Sequence, residues 1–166
     1  FLDLFEPGIN VVVLEPNLNL IYGDPRRSPV FSTGTDTIQV LATAAPIGTQ
    51  VQEMQVFVNQ TLVQQVMNDS ISYNFISANY SPGIQELEVV SQDTAGLADT
   101  STFVIMINPP VDPSPVPVGI VDGINYNSST SVTLSIFAPY KSNIYVLGDF
   151  NDWMVDPAYH MKRHEI

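Results

Sequence analysis

The sequence has no cysteine, few basic residues and no long apolar run, and each absence excludes a class of protein. Without cysteine, its 166 residues cannot form disulfides, thiolate nucleophiles or cysteine-based zinc or iron–sulfur sites. Lys and Arg total 5 against 17 Asp and Glu, and the resulting net charge of −12 opposes binding to nucleic acid or anionic lipid. No apolar run approaches the roughly 18 residues of a membrane span, so we expect no membrane insertion.

Charged residues are scarce as well, whereas hydrophobic residues are not. Only 13% of the residues are charged, against about 25% in an average domain, so uncharged polar side chains must supply much of the solvated surface. A hydrophobic share of 45% is enough to build a core, which excludes intrinsic disorder. The length is too small for a (β/α)₈ barrel of roughly 250 residues and fits one large domain or two small ones.

Short stretches of alternating apolar and polar residues recur along the first two thirds of the chain. Such alternation, in runs rich in β-branched and aromatic residues and interrupted by Gly, Pro, Asn and Asp, is typical of half-buried strands. The runs lie at residues 11–14, 36–43, 54–58, 62–66, 71–76, 84–90 and 102–107. Their spacing of about ten residues predicts an all-β fold of the sandwich type. A helix over residues 50–67 is less favoured, because Val and Phe prefer strands.

The composition changes at residues 108–118, which we predict to be a Pro-rich linker. Five of the 13 prolines lie between Pro109 and Pro117. Because proline fixes φ and removes an amide donor, this stretch cannot be a central strand and should form a stiff extended spacer. The linker marks the end of a first domain that covers residues 1–107.

A second unit follows the linker and covers residues 119–166. Strands are predicted there at residues 131–137 and 143–147. Since a complete sandwich needs about 100 residues, we expect this unit to be the N-terminal part of a truncated module. A sandwich with missing strands has an open edge, so we expect the residues after Pro117 to be mobile, swapped or docked on a neighbour.

Two stretches of the first domain resemble a known family. Residues 56–63 read VFVNQTLV, and residues 82–96 read PGIQELEVVSQDTAG. Both patterns are similar to those of the bacterial immunoglobulin-like domains of exported proteins, over roughly residues 9–107. The resemblance implies an immunoglobulin-like β-sandwich and leaves the function open. Asp93 and Gly96 then lie in the last hairpin, where both residue types suit the turn geometry.

Three stretches of the second unit resemble a different module. Residues 121–126 read VDGINY, residues 132–139 read VTLSIFAP, and residues 144–153 read IYVLGDFNDW. They are similar to the start of the family 48 carbohydrate-binding module, an immunoglobulin-like sandwich that precedes the catalytic barrel in starch-acting enzymes of glycoside hydrolase family 13. Combined with the preceding domain, the pattern resembles α-amylase-like enzymes of Bacteroidetes-type bacteria.

The second resemblance implies a function for the chain. It implies a non-catalytic spacer or carbohydrate-binding region at the N terminus of an exported enzyme, either secreted or on the bacterial cell surface. A start at Phe1 rather than methionine agrees with a processed or engineered N terminus. The parent enzyme would hydrolyse α-1,4-glucosidic bonds with retention, and the partners would be α-glucan and a downstream catalytic barrel. By the same resemblance, Trp153 would stack on a sugar ring and Asn151 would hydrogen-bond a hydroxyl group.

No catalytic residue, cofactor or metal ligand is expected within the chain itself. His160 and His164 have the i, i+4 spacing of a metal-binding helix, but no third ligand accompanies them. Asp93 and Asp99 suit calcium chemically, but without a calcium-loop pattern we expect them to be solvated turn residues.

Blander alternatives remain for the site residues and for the function. Trp153 could cap the sandwich core or contact the barrel instead of sugar, and Asn151 could serve only the turn. The chain could also belong to an adhesion or scaffold protein of tandem immunoglobulin-like domains that has no enzymatic partner domain.

Overall fold

The computed structural model describes residues 8–18 and 23–164, and its regular structure consists of β-strands and a few 3₁₀ turns. The strands are β1 (Gly8–Glu15), β2 (Val30–Ser32), β3 (Thr37–Ile47), β4 (Val51–Val58), β5 (Thr61–Val66), β6 (Ser70–Ile76), β7 (Gly83–Asp93), β8 (Ala98–Ile107), β9 (Gly123–Ser128) and β10 (Ser131–Ser135). Single 3₁₀ turns lie at Pro25–Arg27, Ser77–Asn79, Asp149–Asn151 and Pro157–Tyr159. The all-β prediction is confirmed.

The first eight strands form two sheets that pack face to face. One sheet has the order β1-β3-β6, and the other has the order β2-β8-β7-β4-β5. Neighbouring strands are antiparallel except β2 and β8, which pair in parallel. Successive strands β1 and β2 therefore belong to different sheets, as in immunoglobulin-like and fibronectin III-like sandwiches.

The core lies between the two sheets, and its members follow from the alternation of side chains along each strand. Along β7 every second residue is buried, and Leu87 and Val89 are fully buried, as the alternation predicts. Leu87 and Val89 belong to a hydrophobic cluster to which both sheets contribute. Its other large members are Val40, Met54, Val56, Ile71, Phe75, Phe103, Ile105 and Ile107. At roughly 1.5–3 kcal/mol for each large apolar side chain, this burial is the main stabilising term of the fold.

Strand β8 ends in five consecutive buried residues, Phe103–Ile107, and so has no solvent-facing side there. Phe103, Ile105 and Ile107 belong to the core, which leaves Met106 on the outer face of the sheet. In the strand register, Met106 pairs with Phe31 on one side and Ile84 on the other. Residues after the linker lie beside this outer row, since Phe31 packs on Tyr145 and Ile84 lines a cavity with Phe150 and Tyr159.

The Pro-rich linker is extended but is not free of contacts. Pro113 forms an isolated parallel bridge with Arg163, and the Ser114 amide donates to the Arg163 carbonyl at 2.9 Å. In the described part after residue 107, β9 and β10 form a two-stranded antiparallel sheet. The domain boundaries at residues 107 and 118 stay a prediction.

Some strand predictions were wrong. Residues 143–147 form no strand, and Tyr145 makes only an isolated bridge with His160. The predicted strand at 131–137 ends at Ser135. The short strands β2 and β9 were not predicted from the pattern. Within the described ranges, no helix is long and apolar enough to cross a membrane.

Candidate functional site

Residues 148–153 form a tight turn that the side chain of Asn151 closes. Its Oδ1 accepts from the Gly148 amide at 2.8 Å, and its Nδ2 donates to the Val146 carbonyl at 2.9 Å. The Gly148 carbonyl in turn accepts from the amides of Asn151 and Trp153, at 3.1 and 3.0 Å. The structure thus places Asn151 in the turn itself, where its amide satisfies backbone groups. A contact between Asn151 and sugar stays a prediction.

Trp153 lies at the end of this turn with its side chain half exposed. The residue is 53% exposed, and its indole Nε1 donates to Asp149 Oδ1 at 2.8 Å. Asp152 and Trp153 both have a positive φ, 52° and 59°. This left-handed backbone costs a tryptophan about 1–2 kcal/mol, and it is compatible with the exposed position of the ring. The turn therefore presents a tethered aromatic ring to solvent.

The turn has a second exposed aromatic ring, which the sequence analysis did not predict as a site residue. Phe150 is 59% exposed and packs at a tilt on Tyr159, with ring centroids 5.0 Å apart. A Cβ atom added at Gly148 would lie 2.5 Å from Phe150 Cε1. A side chain at position 148 would therefore displace the phenyl ring, which occupies its place. Phe150 is part of the same GDFNDW stretch, so the signal was present in the sequence.

Tyr145 joins the second unit to the first domain. Its hydroxyl donates to Asn108 Oδ1 at 2.9 Å, and its ring lies 6.0 Å from Phe31 and 4.9 Å from His160, measured between centroids. His160 Nε2 lies 2.9 Å from Asn143 Oδ1. Partial burial lowers the pKa of His160, which favours its neutral form at pH 7.

The second unit also contacts the first domain below the turn. Val155 is buried, and its amide donates to the Arg26 carbonyl at 3.3 Å. A Cβ atom at Gly83 would lie 3.8 Å from Pro157 Cγ. Together with Tyr145, these contacts place the turn over the outer face of the sheet that contains β8.

Two of the carboxylates considered for calcium are used by the fold. Asp93 was expected to be solvated, but it is fully buried, and its Oδ1 accepts from the amides of Ala95 and Leu97 at 3.0 and 2.8 Å. Asp99 Oδ2 accepts from the Val11 amide at 2.7 Å. Among the described residues, no group of three His, Asp or Glu side chains is placed to hold a metal ion.

An open groove of about 730 Å³ separates the linker from the second unit. Its walls are largely apolar and include Ile120, Phe137, Ile144 and Met161. Three of the five Lys and Arg residues of the chain, Lys141, Lys162 and Arg163, also line it. The few cations of a strongly acidic chain are therefore concentrated around one apolar surface.

Comparison with known proteins gives structural likenesses only. No protein-family profile matches the chain, and no curated protein matches it in sequence. Fibronectin(III)-like modules of CbhA from Clostridium thermocellum align with a TM-score of 0.43 and 13% identity, over 59% of this chain and 96% of that chain. A double mutant of the endo-β-1,4-mannanase of Cellulomonas fimi aligns with a TM-score of 0.32 and 17% identity, over 60% of this chain and 18% of that chain. Likenesses this distant say nothing of a ligand or a reaction.

Proposed function

We propose that the chain is the non-catalytic N-terminal region of an exported, secreted or surface-located α-amylase-like enzyme that acts on starch or related α-glucans. The observation that carries the proposal is the half-exposed ring of Trp153, which Asp149 tethers at the end of the GDFNDW turn. That turn is the stretch that resembles the family 48 carbohydrate-binding module.

The chemistry of a sugar ring matches this presentation. One face of a pyranose is a patch of C–H bonds that packs on an aromatic ring, and a ring held by a hydrogen bond loses little entropy on binding. The left-handed backbone at Trp153 costs about 1–2 kcal/mol, and residues held in such conformations cluster at functional sites. A glycine or asparagine would adopt this left-handed backbone at lower cost if the turn had only a structural role.

Electrostatics also favour a neutral ligand. With a net charge of −12, the chain repels nucleic acids, acidic lipids and acidic polysaccharides at long range. An uncharged α-glucan experiences no such repulsion, and its hydroxyl groups can donate to the many surface carboxylates.

The reaction itself would belong to a downstream barrel. A retaining glycosidase needs two carboxyl groups about 5–5.5 Å apart, one of them free to attack the sugar. At the turn, Asp149 accepts from Trp153 and Asp156 Oδ1 accepts from the Ala158 amide at 2.7 Å. Both acids hold a turn in place, so we assign no catalytic role to them, and the retaining hydrolysis of α-1,4 bonds is assigned to the barrel. The large apolar groove would be the surface that packs on it.

Affinity electrophoresis in a gel that contains amylopectin tests the binding role. We expect the wild-type chain to be retarded and Trp153→Ala to migrate as in a gel without polysaccharide. Tyr126→Ala is the control, because Tyr126 is an aromatic residue on β9 that is 80% exposed and lies outside the turn. Unretarded migration of the wild-type chain would overturn the proposal.

The open reading frame of the parent protein separates the proposal from its alternative. A region of alternating strands and helices beyond residue 166 supports the enzyme. Further sandwich repeats in its place would support an adhesion or scaffold protein.

A further inference from the structure

A small cavity of about 250 Å³ lies where the first domain meets the turn. The first domain contributes Arg26 and Ile84, and the second unit contributes Phe150, Asp156 and Tyr159. At roughly 30 Å³ per water molecule, the volume corresponds to about eight waters, comparable to one hexose unit. Pockets at the junction of two structural units are common ligand sites.

The polar groups of the cavity suit a neutral polyhydroxyl ligand. Arg26 has five N–H donors, of which one nitrogen pairs with Glu86 Oε1, so others remain for hydroxyl oxygens. Asp156 uses Oδ1 for the Ala158 amide, which leaves its second oxygen for a hydroxyl donor. Asp152 also lines the cavity. The cavity has two carboxylates, Asp152 and Asp156, and one guanidinium, which is already paired with Glu86. It therefore repels phosphates, sulfates and uronates.

The apolar wall of the cavity suits the C–H face of a sugar. The exposed Phe150 ring packs on Tyr159 and lies against the backbone of Gly148, and these two contacts hold it at the cavity. Ile84 belongs to the outer row of the sheet that contains β8, so it lies on a rigid element. A rigid ring beside fixed donors and acceptors is the arrangement that binds a sugar with little loss of entropy.

We propose that this cavity binds one hexose unit of a neutral α-glucan, and that the immunoglobulin-like domain supplies half of the site through Arg26 and Ile84. The proposal rests on the proposed function for the identity of the sugar, but it places the contact in a different cavity from the Trp153 face. The first domain is then part of the binding unit and not only a spacer.

Methionine methyl groups provide a direct test by NMR. The chain has five methionines, of which Met154 lines this cavity and Met161 lines the larger groove. Met54 and Met106 are buried and report on folding, and the exposed Met67 reports non-specific effects. With ¹³C-methyl-labelled methionine in the full chain, titration with maltotriose should shift the Met154 signal in a saturable way and leave Met161 and Met67 unchanged.

Paired variants test which side chains make the site. Arg26→Leu should weaken the apparent affinity at Met154 about tenfold, since a hydrogen bond to a charged group contributes about 1.5–3 kcal/mol. Arg27→Leu removes the same charge outside the cavity and should leave the affinity unchanged. Phe150→Ala should also weaken the apparent affinity, and Phe137→Ala should leave it unchanged. Unchanged Met54 and Met106 signals would show that each variant is folded.

The outcomes separate this proposal from the proposed function. A maltotriose-dependent shift of the Trp153 indole signal without any shift of Met154 would overturn the cavity but keep the Trp153 face. A shift of Met154 whose apparent affinity falls in Arg26→Leu but not in Trp153→Ala would support the cavity. Equal effects of Arg26→Leu and Arg27→Leu, or no response to maltotriose, would overturn the proposal.

Discussion

The hydroxyl of Thr49 donates to Asp93 Oδ2 at 2.7 Å and so links the loop before β4 to the hairpin between β7 and β8. Asp93 Oδ1 accepts from the amides of Ala95 and Leu97 in the same hairpin. The residue is fully buried. One carboxylate therefore holds two loops of the sandwich together at the same end.

This bonding predicts a specific dependence of stability on pH. The hydrogen bond from Thr49, and then those from the hairpin amides, lower the pKa of Asp93 below its usual value, against the opposing effect of burial. A folded pKa below the unfolded value of about 3.9 gives stability that is complete above that value and is lost as pH falls through the folded pKa.

Asp93→Asn should therefore lower the melting temperature at pH 7 and make little difference near pH 2. Thermal denaturation followed by circular dichroism over this range measures both. Asp69→Asn, at an exposed turn, is the control, and its melting temperature should equal that of the wild-type chain at both pH values. A destabilisation by Asp93→Asn that does not change with pH would contradict the assignment.

Ser91 is expected to destabilise the protein. Its hydroxyl is fully buried on the inner face of β7, which it shares with Leu87 and Val89, and has no hydrogen-bond partner among the residues that the structure describes. Ser91→Ala removes an unsatisfied polar atom with little change of shape and should raise the free energy of unfolding by about 1 kcal/mol. Urea denaturation measures this change.

The opposite sign is expected at Ser77, which provides the matched control. Ser77 is also buried, but its hydroxyl lies 2.6 Å from that of Ser32. Ser77→Ala leaves the Ser32 hydroxyl proton without its acceptor, although Ser32 Oγ still accepts from the Gly34 amide at 3.2 Å, and should cost about 1 kcal/mol. If both variants moved stability in the same direction, hydrogen bonding would not be the cause.

The hairpin between β4 and β5 should become more stable with glycine at position 60. Asn59 and Gln60 have φ values of 49° and 65°, as in a type I′ turn. Gln60→Gly removes the cost of a left-handed backbone, about 1–2 kcal/mol, but it also raises the chain entropy of the unfolded state. We therefore expect the free energy of unfolding, measured by urea denaturation, to rise by about 0.5–1 kcal/mol. Gly96→Ala, at a φ of 87° in the next hairpin, should lower stability instead.

The turn at residues 148–153 should lose its order without the side chain of Asn151. Asn151→Ala leaves the Gly148 amide and the Val146 carbonyl without their partners. Because Trp153 is the only tryptophan, its fluorescence anisotropy reports the turn alone. We expect a lower anisotropy in Asn151→Ala and an intermediate value in Asn151→Asp, which keeps the acceptor for Gly148. An unchanged anisotropy would mean that Asn151 does not hold the ring.

Much of the fold is predictable from the sequence because the alternation of apolar and polar residues in a strand shows which of its faces is buried. The alternation in β3, β4, β6 and β7 gave the inner face of each strand, including Leu87 and Val89, since the side-chain period of two is a local property. Strand β2 was missed because three residues show no period. Residues 143–147 have the composition of a strand, but Tyr145 contributes only one bridge because it packs on Phe31 and His160 instead.

For the candidate site too, local features were predictable and long-range contacts were not. The sequence by itself determined the all-β class, the lack of cysteine chemistry, the acidic charge and the GDFNDW turn, because these depend on residue type and near neighbours. Only the tertiary structure decided that Asn151 closes the turn, that Asp93 is buried, and that Phe150 lies opposite Arg26 across a cavity. Arg26 and Phe150 are 124 positions apart, and they line one cavity because Tyr145, Val155 and Pro157 contact the first domain, an arrangement that no local pattern contains.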